Sequence, residues 1–255
     1  MSPNVHYVSV LVYNPTDPSP IEKRLEWLRG LLAARLSLTL FIDLAFHARL
    51  VDCPWFQVGD HPELRMIPWS LEASETWARC VGAAPMNSLK LPEERNVGKD
   101  TEFFLALMNA KMELVAVVAE ETVAPFVAFL DAGIGKIFKD PGASFGRLKS
   151  LEIREDFSGV LVPGCWTPGP VSLENLSRKI CWMYCGGFFL IPRAEAAGAA
   201  QAAARALQAF LSRGCLTWEV NVWVHMATIE GAPAMKWFAA DHNDTMTMVP
   251  AHFQV

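Results

Sequence analysis

Phe126-Val-Ala-Phe-Leu130 is an apolar run that stops abruptly at Asp131-Ala-Gly133-Ile-Gly-Lys136. A short run without polar alternation fits a strand buried on both faces, as in the parallel sheets of α/β proteins. The glycines that follow predict a compact turn with room for a ligand. An aspartate at the carboxyl end of a central strand lies where open α/β sheets hold their ligands, so Asp131 is the first candidate for chemistry. The competing reading is a cap or tight-turn residue, since Asp is favoured there for its side-chain acceptor.

The surrounding pattern extends this reading. Val5 to Tyr13 predicts a first strand and the proline-rich Asn14 to Pro20 a loop. Ser19 is expected to cap a helix with Pro20 in its first turn, and Ile21, Leu25, Leu28, Leu31 and Leu32 follow at helical spacing to about Arg35. Strands are expected at Leu38 to Asp43 and Leu64 to Trp69, and a helix capped by Ser70 runs through about Val81. Leu44 to Pro62 has no clear period and reads as loop with at most a helical turn. The polar stretch Leu91 to Thr101 leads into a helix from Glu102 to about Val118, capped by Asp100-Thr101. Its amino terminus is a candidate anion site, against the plainer reading of a solvated connector. Later come a short helix from Phe145 to about Leu151, a Pro/Gly-rich bend over Phe157 to Pro170 and an apolar strand over Cys181 to Ile191. An Ala-rich helix over Arg193 to Arg213 and a helix over Leu216 to about Met226 follow. Gly186-Gly187 interrupts the Cys181 to Ile191 run, which marks close approach of another backbone or a ligand. Strand–helix–strand alternation implies parallel pairing through right-handed crossovers.

Composition narrows the class. The length of 255 residues suits one large α/β domain. A 52% hydrophobic content with nine Trp describes a packed core with an aromatic surplus, common in sugar-binding clefts and in plain cores alike. With 22 basic against 27 acidic residues, no global field attracts nucleic acid or anionic membrane. The amino terminus does not resemble a secretory signal and no apolar run is long enough to span a bilayer, so a cytoplasmic location is expected. The six cysteines are scattered and read most simply as buried thiols. Cys181 and Cys185 stand four apart, but no partner pair with zinc spacing lies nearby in sequence.

Three stretches, Arg95 to Glu113, Phe126 to Gly133 and Cys185 to Leu190, resemble in their order the bacterial HtrL/YibB-type proteins, over roughly residues 90 to 245. That family is regarded as glycosyltransferases of the nucleotide-sugar-binding type A fold. The resemblance implies a Rossmann-like, mixed but mostly parallel sheet with flanking helices. Residues 1–135 would bind a nucleoside-diphosphate sugar, and residues 136–255 a saccharide or lipid-linked acceptor, as in polysaccharide biosynthesis.

Type A transferases usually carry Asp-x-Asp after the central strand, where the acids meet the ribose, the sugar and a divalent ion. Here Asp131-Ala-Gly133 lacks the second acid. A Mn²⁺ or Mg²⁺ ion would need another ligand, and the resemblance points to His242, flanked by Asp241 and Asp244; oxygen plus imidazole suits Mn²⁺ better than Ca²⁺. Asp-His-Asn-Asp is equally good turn chemistry. By resemblance Glu219 is the acceptor-activating base, its pKa expected to be raised between Trp218 and Trp223, against the reading of an ordinary exposed glutamate. Arg95, Lys99 and Lys111 would meet the diphosphate, and Gly133, Gly186, Gly187 and Trp218 would line the substrate site. Two competing functions remain open at this point. One is a metal-dependent sugar-phosphate hydrolase or nucleotidyltransferase using Asp131, Asp241 and His242. The other is a non-catalytic carbohydrate-binding relative.

Overall fold

The structure is a computed structural model that describes residues 4–14, 20–85 and 88–255. In chain order its strands are β1 (Val5–Leu11), β2 (Leu38–Ile42), β3 (Leu64–Pro68), β4 (Phe126–Leu130), β5 (Val160–Gly164), β6 (Phe188–Pro192) and β7 (Met235–Ala239). The helices are α1 (Ile21–Ala33), α2 (Leu44–Val51), α3 (Glu75–Ala83), α4 (Glu102–Asn109), α5 (Lys111–Glu121), α6 (Pro141–Lys149), α7 (Leu173–Arg178), α8 (Ala196–Leu211) and α9 (Glu219–Met226). The strands form one sheet in the order β3-β2-β1-β4-β6-β5-β7. β1 pairs parallel with β2 and β4, β2 with β3, and β5 with β7, while β6 runs antiparallel to both neighbours. The fold is thus the expected mixed, mostly parallel α/β sheet with helices on both faces.

Period-2 alternation inside the apolar runs explains how both faces are covered. In β4, Phe126, Ala128 and Leu130 point into a core shared with Leu25, Leu28 and Leu31 of α1, Phe46 of α2 and Leu148 of α6. Val127 and Phe129 point the other way, into a core with α4, α5, α8 and α9. Phe129 stacks on Phe189 of β6 with centroids 5.7 Å apart. Such a pair adds about 0.5–1.5 kcal/mol beyond the area it buries. The small buried residues Ala199, Ala202, Ala203 and Ala206 let α8 lie close against α5.

Several local expectations are corrected. Leu44 to Val51 is a full helix, started by Asp43, whose carboxylate accepts from Phe46 N and Tyr13 N. The acid that ends β2 therefore also caps α2. The helix expected from Ser70 is a short 3-10 turn, and Ser74 caps α3 by accepting from Trp77 N. Residues 102–121 form two helices, because the amide of Asn109 turns inward to donate to Leu105 O and Thr217 O. The Pro/Gly-rich bend contains β5, and β6 starts only at Phe188, since residues 181–187 are turns. β7 was not anticipated: Lys236 interrupts its apolar residues, and of its five side chains only Phe238 is buried. The cap expected at Ser19 lies outside the described residues. No helix among the described residues is long and apolar enough to cross a membrane.

Candidate active site

Parallel pairing sends the carboxyl ends of β1, β4, β5 and β7 to one edge of the sheet, and the reversed β6 begins there. From β1 the chain proceeds to β2 on one side, while β4 lies on the other. Strand ends diverge at such a reversal and leave a crevice. Asp131 follows β4 at this point, its N–H donating to Gly187 O at 2.9 Å.

Asp131 is anchored by Lys111, the first residue of α5. The Lys111 ammonium is 1% exposed and donates to Glu219 Oε1 at 2.8 Å and Gly186 O at 2.9 Å, with Asp131 Oδ1 at 3.2 Å. An ammonium has three donors, and these three oxygens account for all of them. Burial pulls the Lys111 pKa down, but the charges of Asp131 and Glu219 prevail and hold it above the ordinary lysine value. The two carboxylates differ in access: Asp131 is 41% exposed, whereas Glu219 is 7% exposed. Glu219 opens α9, where the helix dipole also favours its charge.

Glu219 therefore sits beneath Lys111 in a buried ion pair, and not on an accessible face between two indoles. The expected substrate-facing ring of Trp218 is buried too, as is Trp223, which meets Phe189 edge-on at 5.1 Å. Gly186 and Gly187 are at the site, as anticipated from their interruption of the run, but they serve different neighbours. A Cβ on Gly186 would lie 2.1 Å from Glu219 Oε1, so this glycine makes the Glu219–Lys111 pair possible. A Cβ on Gly187 would lie 3.5 Å from Asp131 Oδ2 and 3.0 Å from Met246 Cε.

The remaining expected residues are held locally. Gly133 packs against Trp27, where a Cβ would come within 3.3 Å of the indole, so the turn after β4 is filled by a ring. Arg95 donates to Pro92 O, and Lys99 lies 4.7 Å from the Phe104 ring. At the start of α4, Thr101 Oγ1 takes the N–H of Phe104, and buried Asp100 accepts from Asn96 N. The chain's own oxygens thus occupy part of the expected anion site, and two buried acids, Asp100 and Glu102, surround it.

His242 is brought to a different cluster from Asp131. Among the described residues, the ligand atoms of Cys165 and Cys185 converge with its own, and Asp241 Oδ1 borders them at 3.6 Å from its Nδ1. Asp244, expected beside it, instead takes Lys139 N, Asp140 N and Ser144 Oγ, fastening the tail to the start of α6. These backbone donors lower the Asp244 carboxyl to about 2. A depressed carboxyl stabilises the fold above its unfolded pKa of about 3.9 and loses that effect as pH falls through its folded value. The melting-temperature advantage of wild type over Asp244→Asn should accordingly be constant from neutral pH down to about pH 5, shrink steadily below it and vanish only below about pH 2. An advantage that persists unchanged at the acid end would count against this anchoring role.

No protein-family model and no curated protein matches the chain. Among solved structures it overlaps the bifunctional IspDF from Campylobacter jejuni at 8% identity and a TM-score of 0.42, covering 93% of this chain and 50% of that one. It overlaps the galactosyltransferase LgtC, solved with donor and acceptor sugar analogs, at 8% identity and a TM-score of 0.41, covering 91% of this chain and 72% of that one. The chain thus spans half the length of the first. At such values the overlap is one of general layered plan.

Proposed function

We propose that this protein transfers a sugar from a nucleoside-diphosphate donor to a saccharide or lipid-linked acceptor, in the cytoplasm. The observation that carries the reading is Asp131: a 41%-exposed carboxylate at the end of a central strand, at the sheet's reversal point, held from behind by buried Lys111. A carboxylate fixed on one oxygen and open on the other is suited to accept hydrogen bonds from the hydroxyls of a sugar or ribose. Glu219 acts on substrate only through Lys111, as a positioning residue.

A divalent ion at Asp131 does not fit this donor set. Mn²⁺ or Mg²⁺ needs several oxygens, and here a single carboxylate is already paired with an ammonium, while His242 belongs to a sulfur cluster.

Incubation with uridine, guanosine, cytidine and thymidine diphosphate sugars, with and without chelator, tests the proposal. Release of nucleoside diphosphate together with sugar transfer supports it, and pyrophosphate release would point instead to a nucleotidyltransferase. Absence of binding to any of these donors at millimolar concentration would overturn it. Asp131→Ala should lower turnover by roughly 100-fold, the scale of a lost orienting contact, while Glu219 still neutralises Lys111 and the melting temperature changes little.

A further inference from the structure

Beyond Gly186, three segments distant in sequence meet at the same edge of the sheet: the end of β5, the turn before β6 and the end of β7. We infer that Cys165, Cys185 and His242 form a binding site for a thiophilic cation of the zinc class, with a fourth position open beside Asp241. This rests on none of the transferase reading.

Cys165 Sγ lies 3.6 Å from Cys185 Sγ and 3.8 Å from His242 Nδ1, and the three ligand atoms all fall within 4.8 Å of one another. Zinc bonds of about 2.3 Å to sulfur and about 2.0–2.1 Å to nitrogen define a tetrahedron with edges of about 3.6–3.8 Å. Both edges from Cys165 are therefore already of tetrahedral length, and the third, from Cys185 to His242, is at most 4.8 Å, within reach of a small side-chain adjustment. Asp241 Oδ1 is 3.6 Å from both Cys165 Sγ and His242 Nδ1, so a carboxylate borders the open corner, where it can accept from a metal-bound water.

The backbone fixes this arrangement. Cys165 N donates to Trp182 O at 3.0 Å, and Cys185 N to Pro163 O at 2.7 Å, so the two thiols face each other across the β5 end. Trp182 meets the His242 ring edge-on at 4.5 Å and orients it. Two thiolates and an imidazole favour a soft, tetrahedral ion over Mg²⁺ or Mn²⁺. A disulfide between the same cysteines would need their sulfurs to close from 3.6 Å to about 2.05 Å and would leave the histidine without a role. Burial keeps both thiols above the ordinary cysteine range, so binding releases their protons to solvent and strengthens as pH rises. The bound ion would staple the Cys185-Gly186-Gly187 turn on which Lys111, Glu219 and Asp131 converge.

The full chain, stripped with chelator and kept reduced, is titrated with Co²⁺ and then with Zn²⁺. One equivalent of Co²⁺ should produce a thiolate-to-cobalt charge-transfer band that Zn²⁺ abolishes and excess Mg²⁺ does not. Cys165→Ser and His242→Ala, both outside the core, should each weaken Co²⁺ binding by at least about 10-fold, while Cys53→Ser leaves it unchanged. The site is overturned if no thiolate band develops, or if the band is unaltered in Cys165→Ser or in His242→Ala.

Discussion

Lys111→Met is expected to destabilise the protein by about 3–5 kcal/mol, because removing one partner of a buried ion pair leaves the other charge uncompensated. Here the stranded group is Glu219, 7% exposed, and Gly186 O loses its donor as well. Methionine fills nearly the same volume, so the loss reports charge and not a cavity. For a chain of this size the melting temperature should fall by roughly 10 °C. Glu219→Gln added to Lys111→Met should recover part of the loss, since a neutral amide removes the buried charge, and this non-additivity is the signature of the pair. Glu219→Gln alone should be milder, as Asp131 still neutralises the ammonium at 3.2 Å. The pH dependence has a defined sign: a raised lysine pKa contributes stability in full below its unfolded value of about 10.4, lost only as pH rises past the folded value. Urea midpoints should therefore differ equally between wild type and Lys111→Met at pH 7 and pH 9. Identical midpoints for the two proteins would remove Lys111 from the centre of the site.

The readable parts of this fold and site are those encoded in one contiguous segment. β4 and its terminal Asp131 follow from an apolar run and the acid that ends it, and α1 from leucines at helical spacing. What was hidden depends on contacts between distant segments. β5 read as a bend because of Pro163 and Gly164. The structure gives that glycine a reason: a Cβ there would lie 1.8 Å from Met183 O, so the strand admits no side chain at its end. β7 carries an exposed Lys236 inside its apolar residues, which an edge strand pairing only with β5 tolerates, so its run is interrupted. The same distinction divides the site. Asp131 was legible on its own strand, but Lys111 and Glu219 are 108 residues apart, and only the folded chain brings the first residues of α5 and α9 together. The resemblance suggested that Lys111 met a diphosphate, whereas its three donors are spent inside the protein. The sulfur cluster was invisible for a related reason. In sequence the near neighbour of Cys185 is Cys181, but sheet order puts it opposite Cys165, 20 residues away, with a histidine from beyond β7 completing the group.

Gly186→Ala should be about as damaging as losing Lys111, although it adds a single methyl group. The new Cβ would lie 2.1 Å from Glu219 Oε1, 3.0 Å from its Cδ and 3.3 Å from Val220 Cγ1. A flexible side-chain end would swing aside at small cost, but this carboxylate is held by Lys111 at 2.8 Å on the first residue of α9. Either the ion pair opens inside the core, which costs about 3–5 kcal/mol, or the Gly186 backbone retreats. Retreat would carry Gly187 with it, and Gly187 O receives the N–H of Asp131, so the exposed carboxylate would shift as well. Gly187→Ala provides the internal comparison. Its Cβ would press mainly on Met246 Cε at 3.0 Å, the free end of a flexible chain, and should cost less than about 1.5 kcal/mol. Combining Gly186→Ala with Glu219→Ala makes room for the methyl group, so the double variant should be less destabilised than the sum of the two single changes. Thermal and urea unfolding of the four variants measure this directly. Equal losses for the two glycine substitutions, or strict additivity in the double variant, would mean that Gly186 is not spared a side chain for the sake of the buried pair.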